Sequence, residues 1–175
     1  MSAHMEPRVE VFEGFLPEHA ALFETLRDTI DWDRSMSARL TASFGRPYNY
    51  RQMVYPEAPM HEALAPVVDR LEAKLGVRFN NCLLNYYLDG RSKMGFHADD
   101  TTDLRPESGV GIVSLGAARK ITFRRKDDEN TRWAKELAPG SLLYMLHDVQ
   151  EEWVHAIKRQ RHAGPRISLT WRAFR

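Results

Sequence analysis

The sequence predicts a mostly β domain with flanking helices, an α+β chain whose strands close into a sandwich, barrel or jelly roll. Three observations lead there. From Phe79 onward the chain divides into short runs separated by turn residues: "FNNCLLNYYLDG", "GVGIVSLG", "KITFRRK", "RWAKELAPG", "SLLYMLH", "EWVHAIK" and "RISLTWRAF". Helical periodicity is confined to two segments of the front half. A length of 175 residues with 43% hydrophobic content suits one domain with its own core.

Taken in order, "MSAH" (1–4) reads as a cloning remnant, leaving a single domain over 5–175. "RVEVFEGFL" alternates as a short strand. Pro17 then opens a helix whose Leu22, Leu26 and Ile30 repeat at helical spacing. Residues 36–58 hold several aromatic residues without a sustained helical period, which predicts strands and loops. A second helix through "MHEALAPVVDRLEAKLGV" carries Met60, Leu64, Val67, Val68, Leu71 and Leu75 on one stripe, with Gly76 placed to stop it. The strand-rich part covers 79–174. No internal repeat or low-complexity segment interrupts the chain.

Composition excludes several classes. The formal charge of +1 lacks the basic excess of a dedicated nucleic-acid binder, and "ARKITFRRK" and "IKRQRH" are local exceptions. The single Cys82 can form no internal disulfide and no Cys-x-x-Cys zinc site, so a reducing compartment is expected: cytoplasmic, or nuclear in a eukaryote. No run approaches the roughly 20 apolar residues of a membrane span. A monomer with no membrane partner is expected.

The stretch "MGFHADDTTD" places His97 two residues from Asp99 beside a turn, in a chain with seven histidines. In extended backbone, side chains two apart share a face, so both can point inward. His19 and His61 fall in predicted helices. His147 leads into "DVQEE" and His162 follows a basic run, whereas His155 sits in "EWVHAIK" with Trp153 and Ile157 on its own face. His155 is therefore the predicted third ligand. Two imidazoles and a carboxylate suit Fe(II) with open positions, and they suit zinc as well.

Alternation in "RISLTWR" puts Ile167, Leu169 and Trp171 on a core face and Arg166, Ser168, Thr170 and Arg172 on the other. Inward-facing guanidinium groups need anions, and a dicarboxylate such as 2-oxoglutarate supplies two charges. Asn85 and Tyr87 share a face in "LLNYYL" and can add neutral hydrogen bonds.

The ordered set Asn85-x-Tyr87, His97-x-Asp99, His155 and Arg166-x-Ser-x-Thr-x-Arg172 resembles the AlkB family of Fe(II)- and 2-oxoglutarate-dependent dioxygenases. The likeness is strongest over 79–174. It implies a double-stranded β-helix, a jelly-roll variant, under a nucleotide-recognition lid at about 36–58. It further implies iron on His97, Asp99 and His155. The distal carboxylate of 2-oxoglutarate would lie on Arg166 and Tyr87, with Asn85 and Arg172 near its metal-bound end. Ser168 departs from the Asn of many members, so one co-substrate hydrogen bond would be shorter in reach or replaced by water.

The implied reaction uses O2 to decarboxylate 2-oxoglutarate to succinate and to hydroxylate an N-alkyl carbon, which leaves as an aldehyde. Alkylated DNA or RNA bearing 1-methyladenine or 3-methylcytosine is the implied substrate. Tyr48 and Tyr50 would contact the base, Asp100 would tune its recognition, and Trp153 is a candidate pocket wall by strand parity. Tyr55 is assigned to lid packing. Arg124, Arg125, Lys126, Arg159 and Arg161 become candidate phosphate contacts. No apolar wedge for opening a duplex is apparent in "DWDRSMSARLT", which favours single strands. The alternatives are a protein or metabolite hydroxylase with the same iron chemistry, and a non-catalytic nucleic-acid-binding jelly roll.

Overall fold

Alternation of side chains across the strands sorts the C-terminal half into two antiparallel sheets. The computed structural model describes residues 6–50 and 53–175; Met1 to His4, read above as a remnant, lie outside the described residues. A six-stranded sheet follows the order β1 (Val9–Phe12), β10 (Leu142–Met145), β7 (Val110–Gly116), β12 (Arg166–Arg172), β5 (Asn81–Tyr87) and β2 (Leu40–Gly45). A smaller sheet of four strands runs β6 (Met94–His97), β11 (Trp153–Ile157), β8 (Arg119–Arg125) and β9 (Arg132–Leu137). A separate hairpin pairs β3 (Tyr48–Tyr50) with β4 (Met53–Tyr55).

Two apolar cores follow from strand parity. On one face of the large sheet, Cys82, Leu84, Val113, Leu115, Ile167, Leu169 and Trp171 pack against α1 (His19–Thr29) and α2 (Ala65–Leu75). The opposite face turns Tyr87, Ile112, Leu143 and Met145 toward Ile121, Phe123, Trp153 and Ile157 in a second core. Arg166, Ser168 and Arg172 share that inner face and are buried with it. The predicted jelly roll and its Arg row are therefore both present.

The helices differ at their starts. Pro17 lies in a turn, and α1 begins at His19. Residues before Ala65 are also turn, because Pro66 fits only the first helical turn and disfavours helix in the residue before it. Gly76 ends α2 at φ 72°, a left-handed conformation that glycine adopts without penalty.

Met94–His97 forms a further strand, β6, outside the strand runs that the sequence predicts. Its period is hidden by a bulge: His97 opposes His155 and Met94 opposes Ile157, so Gly95 and Phe96 together face Ala156. A four-residue helix, α3 (Val149–Glu152), precedes β11. Among the described residues no helix is long and apolar enough to cross a membrane.

Candidate metal and co-substrate site

β6 and β11 lie side by side, and their register places His97 directly opposite His155. Asp99 follows two residues later. One ligand atom from each of the three lies within 4.8 Å of the others. The imidazole centroids are 4.3 Å apart, and His97 Nε2 is 3.9 Å from Asp99 Oδ1.

The ring of His97 is oriented by the bulge. Its Nδ1 lies 3.0 Å from the Gly95 carbonyl oxygen, which can only accept, so Nδ1 carries the proton and Nε2 is left as a ligand. The two oxygens of Asp99 have separate tasks. Oδ2 accepts from Arg172 Nε at 2.7 Å and is also 2.7 Å from Nη2, while Oδ1 faces His97. Gln150 Oε1 accepts from the Asp99 backbone N–H at 2.7 Å, pinning the loop to α3.

Burial and neighbouring charge set the protonation states. Burial, helped by nearby positive groups, holds the His155 imidazole down to about 3, so it is neutral at neutral pH. Burial lowers His97 as well. Burial pulls Asp99 upward, but Arg172 and the two imidazoles outweigh it and the carboxyl stays below its ordinary range. Neutral imidazoles and an ionised carboxylate are the states a cation binds. His147 and His162 are exposed and stand outside this cluster.

The cluster opens into a cavity of about 440 Å³ whose lining includes Asn85, Thr170 and Arg172 from the large sheet and Met36, Arg39, Tyr48 and Met53 from the lid. Tyr48 is buried, with the Arg172 guanidinium carbon 4.8 Å from its ring centroid. Arg39, not anticipated from sequence, donates from Nε to Asn85 Oδ1 at 2.7 Å. Tyr50 contributes backbone to the hairpin, and its side chain lies outside the described residues.

Farther along the inner face, Arg166, Ser168 and Tyr87 lie off the cavity lining. Strand pairing puts Arg166 opposite Tyr87 and Ser168 opposite Asn85. Arg166 Nη2 donates to Ser114 Oγ at 3.0 Å. Its Nε, the Tyr87 hydroxyl, Arg172 Nη1 and His155 Nδ1 are buried without a hydrogen-bond partner. Such orphans are costly unless a ligand meets them. Cationic and hydroxyl orphans suit a carboxylate, and the triad suits a metal ion, so these residues fit Fe(II) and 2-oxoglutarate.

A buried cation that sequence reading missed stands beside Arg166. Arg119 is fully buried, donates to the carbonyls of Ser92 and Lys158 at 2.9 and 2.7 Å, and leaves Nε unpaired. Its guanidinium and that of Arg166 lie 5.3 and 5.2 Å from the Tyr87 ring. Parity offered a signal: Arg119 shares a face with Ile121 and Phe123, inside a run read only as basic.

Trp153, Arg125 and Lys126 lie away from their expected roles. Trp153 does not line the cavity; it is buried in the second core with Arg125 5.5 Å from its ring. Trp153 shares the face of His155, as parity predicts, but the sheets close around that end of β11. Arg125 pairs with Asp127 and Glu152, and Lys126 Nζ donates to the Gln150 carbonyl at 2.7 Å, so both are committed within the fold. Asp100 is exposed, and its Oδ1 accepts from the backbone and hydroxyl of Thr102. Tyr55 anchors the lid, donating to Asp33 Oδ2 at 2.8 Å and meeting the Thr41 hydroxyl.

A histidine pair and a carboxylate set between the sheets of a jelly roll define a class of metal-dependent proteins, and the sequence comparisons are specific within it. A model of the 2OG-Fe(II) oxygenase superfamily matches residues 9–172. The chain belongs to that superfamily and, within it, to the AlkB family. It is 34% identical over 136 residues to the DNA oxidative demethylase ALKBH2 of Bos taurus, covering 73% of this chain and 49% of that protein. It is 29% identical over 187 aligned residues to the alpha-ketoglutarate-dependent dioxygenase alkB homolog 3 of Homo sapiens, covering 94% of this chain and 65% of the relative. The chain thus spans about half the length of the bovine relative. The solved structure of OsALKBH1 shares the fold, with a TM-score of 0.69 at 15% identity over 97% of this chain and 100% of the other.

Proposed function

We propose that the chain is an Fe(II)- and 2-oxoglutarate-dependent oxidative demethylase of N-alkylated bases such as 1-methyladenine and 3-methylcytosine in DNA or RNA. The observation that carries this reading is the His97, Asp99 and His155 cluster opening into a cavity walled by Tyr48 and the lid. The ALKBH2 and alkB homolog 3 relatives support the substrate class.

In this reading His97, Asp99 and His155 hold the metal. Arg172 and Gln150 keep the Asp99 carboxylate aimed. The Arg166 guanidinium, the Tyr87 hydroxyl and Ser168 hold the distal carboxylate of 2-oxoglutarate, with Asn85 and Arg172 near its other end. The bound metal and co-substrate supply the oxidation of an alkyl carbon by O2. The chain's own share is positioning: Tyr48 and Tyr50 contact the base, Asp100 stands at the rim, and the lid's Met36 and Met53 exclude water. Arg124, Arg159 and Arg161 remain the phosphate contacts. We place the protein, as a monomer, in a reducing compartment where the buried Cys82 stays a thiol.

The test is incubation with Fe(II), 2-oxoglutarate and a panel of methylated oligonucleotides, read by mass spectrometry. Loss of one methyl mass with succinate formed is expected. Succinate without any change in the oligonucleotides would favour a protein or metabolite hydroxylase, and neither product would favour a non-catalytic binder.

A further inference from the structure

The bulge that aims His97 inward also turns Phe96 outward. On the outer face of the small sheet its half-buried ring is flanked by three cationic groups: Arg124 at 4.2 Å, Lys158 at 5.4 Å and Arg132 at 5.7 Å from the centroid. They come from β8, from the residue after β11, and from β9. Among the described residues none of the three forms a salt bridge, although Arg132 Nε donates to the Glu129 carbonyl at 3.1 Å. Arg125, on the inner face, is by contrast flanked by two carboxylates. Like charges gathered without an ion-pair partner repel one another, and a bound anion relieves that repulsion.

Phe96 also lines the cavity. Arg132 and Lys158 continue from its ring into a surface groove of about 650 Å³, which Lys120 and Arg159 line farther on, with Glu136 opposite Lys120 as its one lining carboxylate among the described residues. One aromatic ring therefore joins the cavity to a basic channel. An acidic peptide would need only the cations. A ring set among them matches the pairing of base stacking with phosphate contacts used for single-stranded nucleic acid.

We propose that this outer face is the track for the strand flanking the nucleotide in the cavity. Phe96 stacks on the neighbouring base, and Arg124, Arg132 and Lys158 hold the phosphates that lead into the groove. The proposal rests on the nucleic-acid reading above and adds a path that the cavity alone does not define.

The test uses the double variant Arg132→Gln/Lys158→Gln of the full chain and an unmodified twelve-nucleotide single strand, with affinity read by fluorescence anisotropy across a salt series. Each phosphate contact on a single strand contributes a slope of about 0.7, so the dependence of log K on log salt should become shallower by roughly 1.4. Affinity at low salt should fall about tenfold. Demethylation of a methylated trinucleotide, too short to cross the groove, and uncoupled succinate formation should be unchanged. Phe96→Leu should weaken binding of the twelve-mer and Phe96→Trp should retain it.

Wild-type affinity and slope in the double variant, with the trinucleotide still repaired, would overturn the track and leave the demethylase reading standing. Equal loss of affinity for polyglutamate would reduce the patch to a general anion surface and overturn it too. A wild-type chain that demethylates neither the trinucleotide nor a longer methylated strand would overturn the nucleic-acid reading itself, and the track with it.

Discussion

β12 and the β3–β4 hairpin face the same cavity and are built differently. Every residue of β12 is buried, and the strand pairs with β5 on one side and β7 on the other. The hairpin pairs only with itself among the described strands, and Val54 is 70% exposed on it. It is held by side chains, the Tyr55 hydroxyl on Asp33 and Thr41 and the Tyr48 ring against Arg172. A doubly paired, buried strand opens only with most of the fold, whereas a lone hairpin opens locally at small cost. The floor thus suits groups needing fixed geometry, and the lid suits a substrate that must enter and leave.

The largest effect should come from the floor. His97→Ala, Asp99→Ala or His155→Ala should abolish succinate formation while melting stays cooperative, because the sheets are held by cores apart from the triad. His147→Ala should be nearly silent. Metal content of the purified variants checks the assignment independently, and a His147→Ala protein that loses iron while His155→Ala keeps it would break it.

Next in size is Arg166→Ala, which removes a charge-assisted contact worth about 1.5–3 kcal/mol, or roughly a 10- to 150-fold weaker affinity for 2-oxoglutarate. Arg166→Lys should rescue only in part, since an ammonium group lacks the planar fork. Titration of the Mn(II)-loaded variants by calorimetry measures both. Unchanged affinity would mean the partnerless Arg166 Nε and Tyr87 hydroxyl serve something other than the co-substrate.

The same contrast explains what could be read from the sequence. β12 and β5 were legible because polar and apolar residues alternate through both, and inward arginines are rare enough to carry meaning. The two-residue spacing of His97 and Asp99, and the strand context that set His155 apart from the other histidines, made the triad legible as well. β6 was not legible, because the bulge at Gly95 and Phe96 breaks the two-residue period. Arg119 was hidden in a run whose surface lysine and arginine neighbours disguise its inward face. Gln150 and Arg39 act through partners distant in sequence, Asp99 and Asn85, so no local pattern could announce them. Trp153 shows the reverse limit: parity gives the face of a strand, but how far the cavity extends beneath that face depends on how the sheets close.

The lid supplies the smallest and most discriminating test. Tyr48 walls the cavity and Tyr55 is tied to Asp33, whereas the base contact of Tyr50 rests on sequence resemblance alone. If it stacks there, Tyr50→Ala should weaken substrate binding by roughly 1–3 kcal/mol, and Tyr50→Phe should keep most of it because the ring face carries the interaction. Co-substrate affinity and uncoupled succinate formation should hold, since both depend on the floor. Packing makes the opposite claim: melting temperature, uncoupled turnover and repair would fall together. Measuring all three on one Tyr50→Ala preparation, beside Tyr55→Phe as the variant that loosens the lid's anchor, separates the two. Repair lost alone in Tyr50→Ala, with melting lowered only in Tyr55→Phe, would assign recognition and anchorage to different tyrosines of one hairpin.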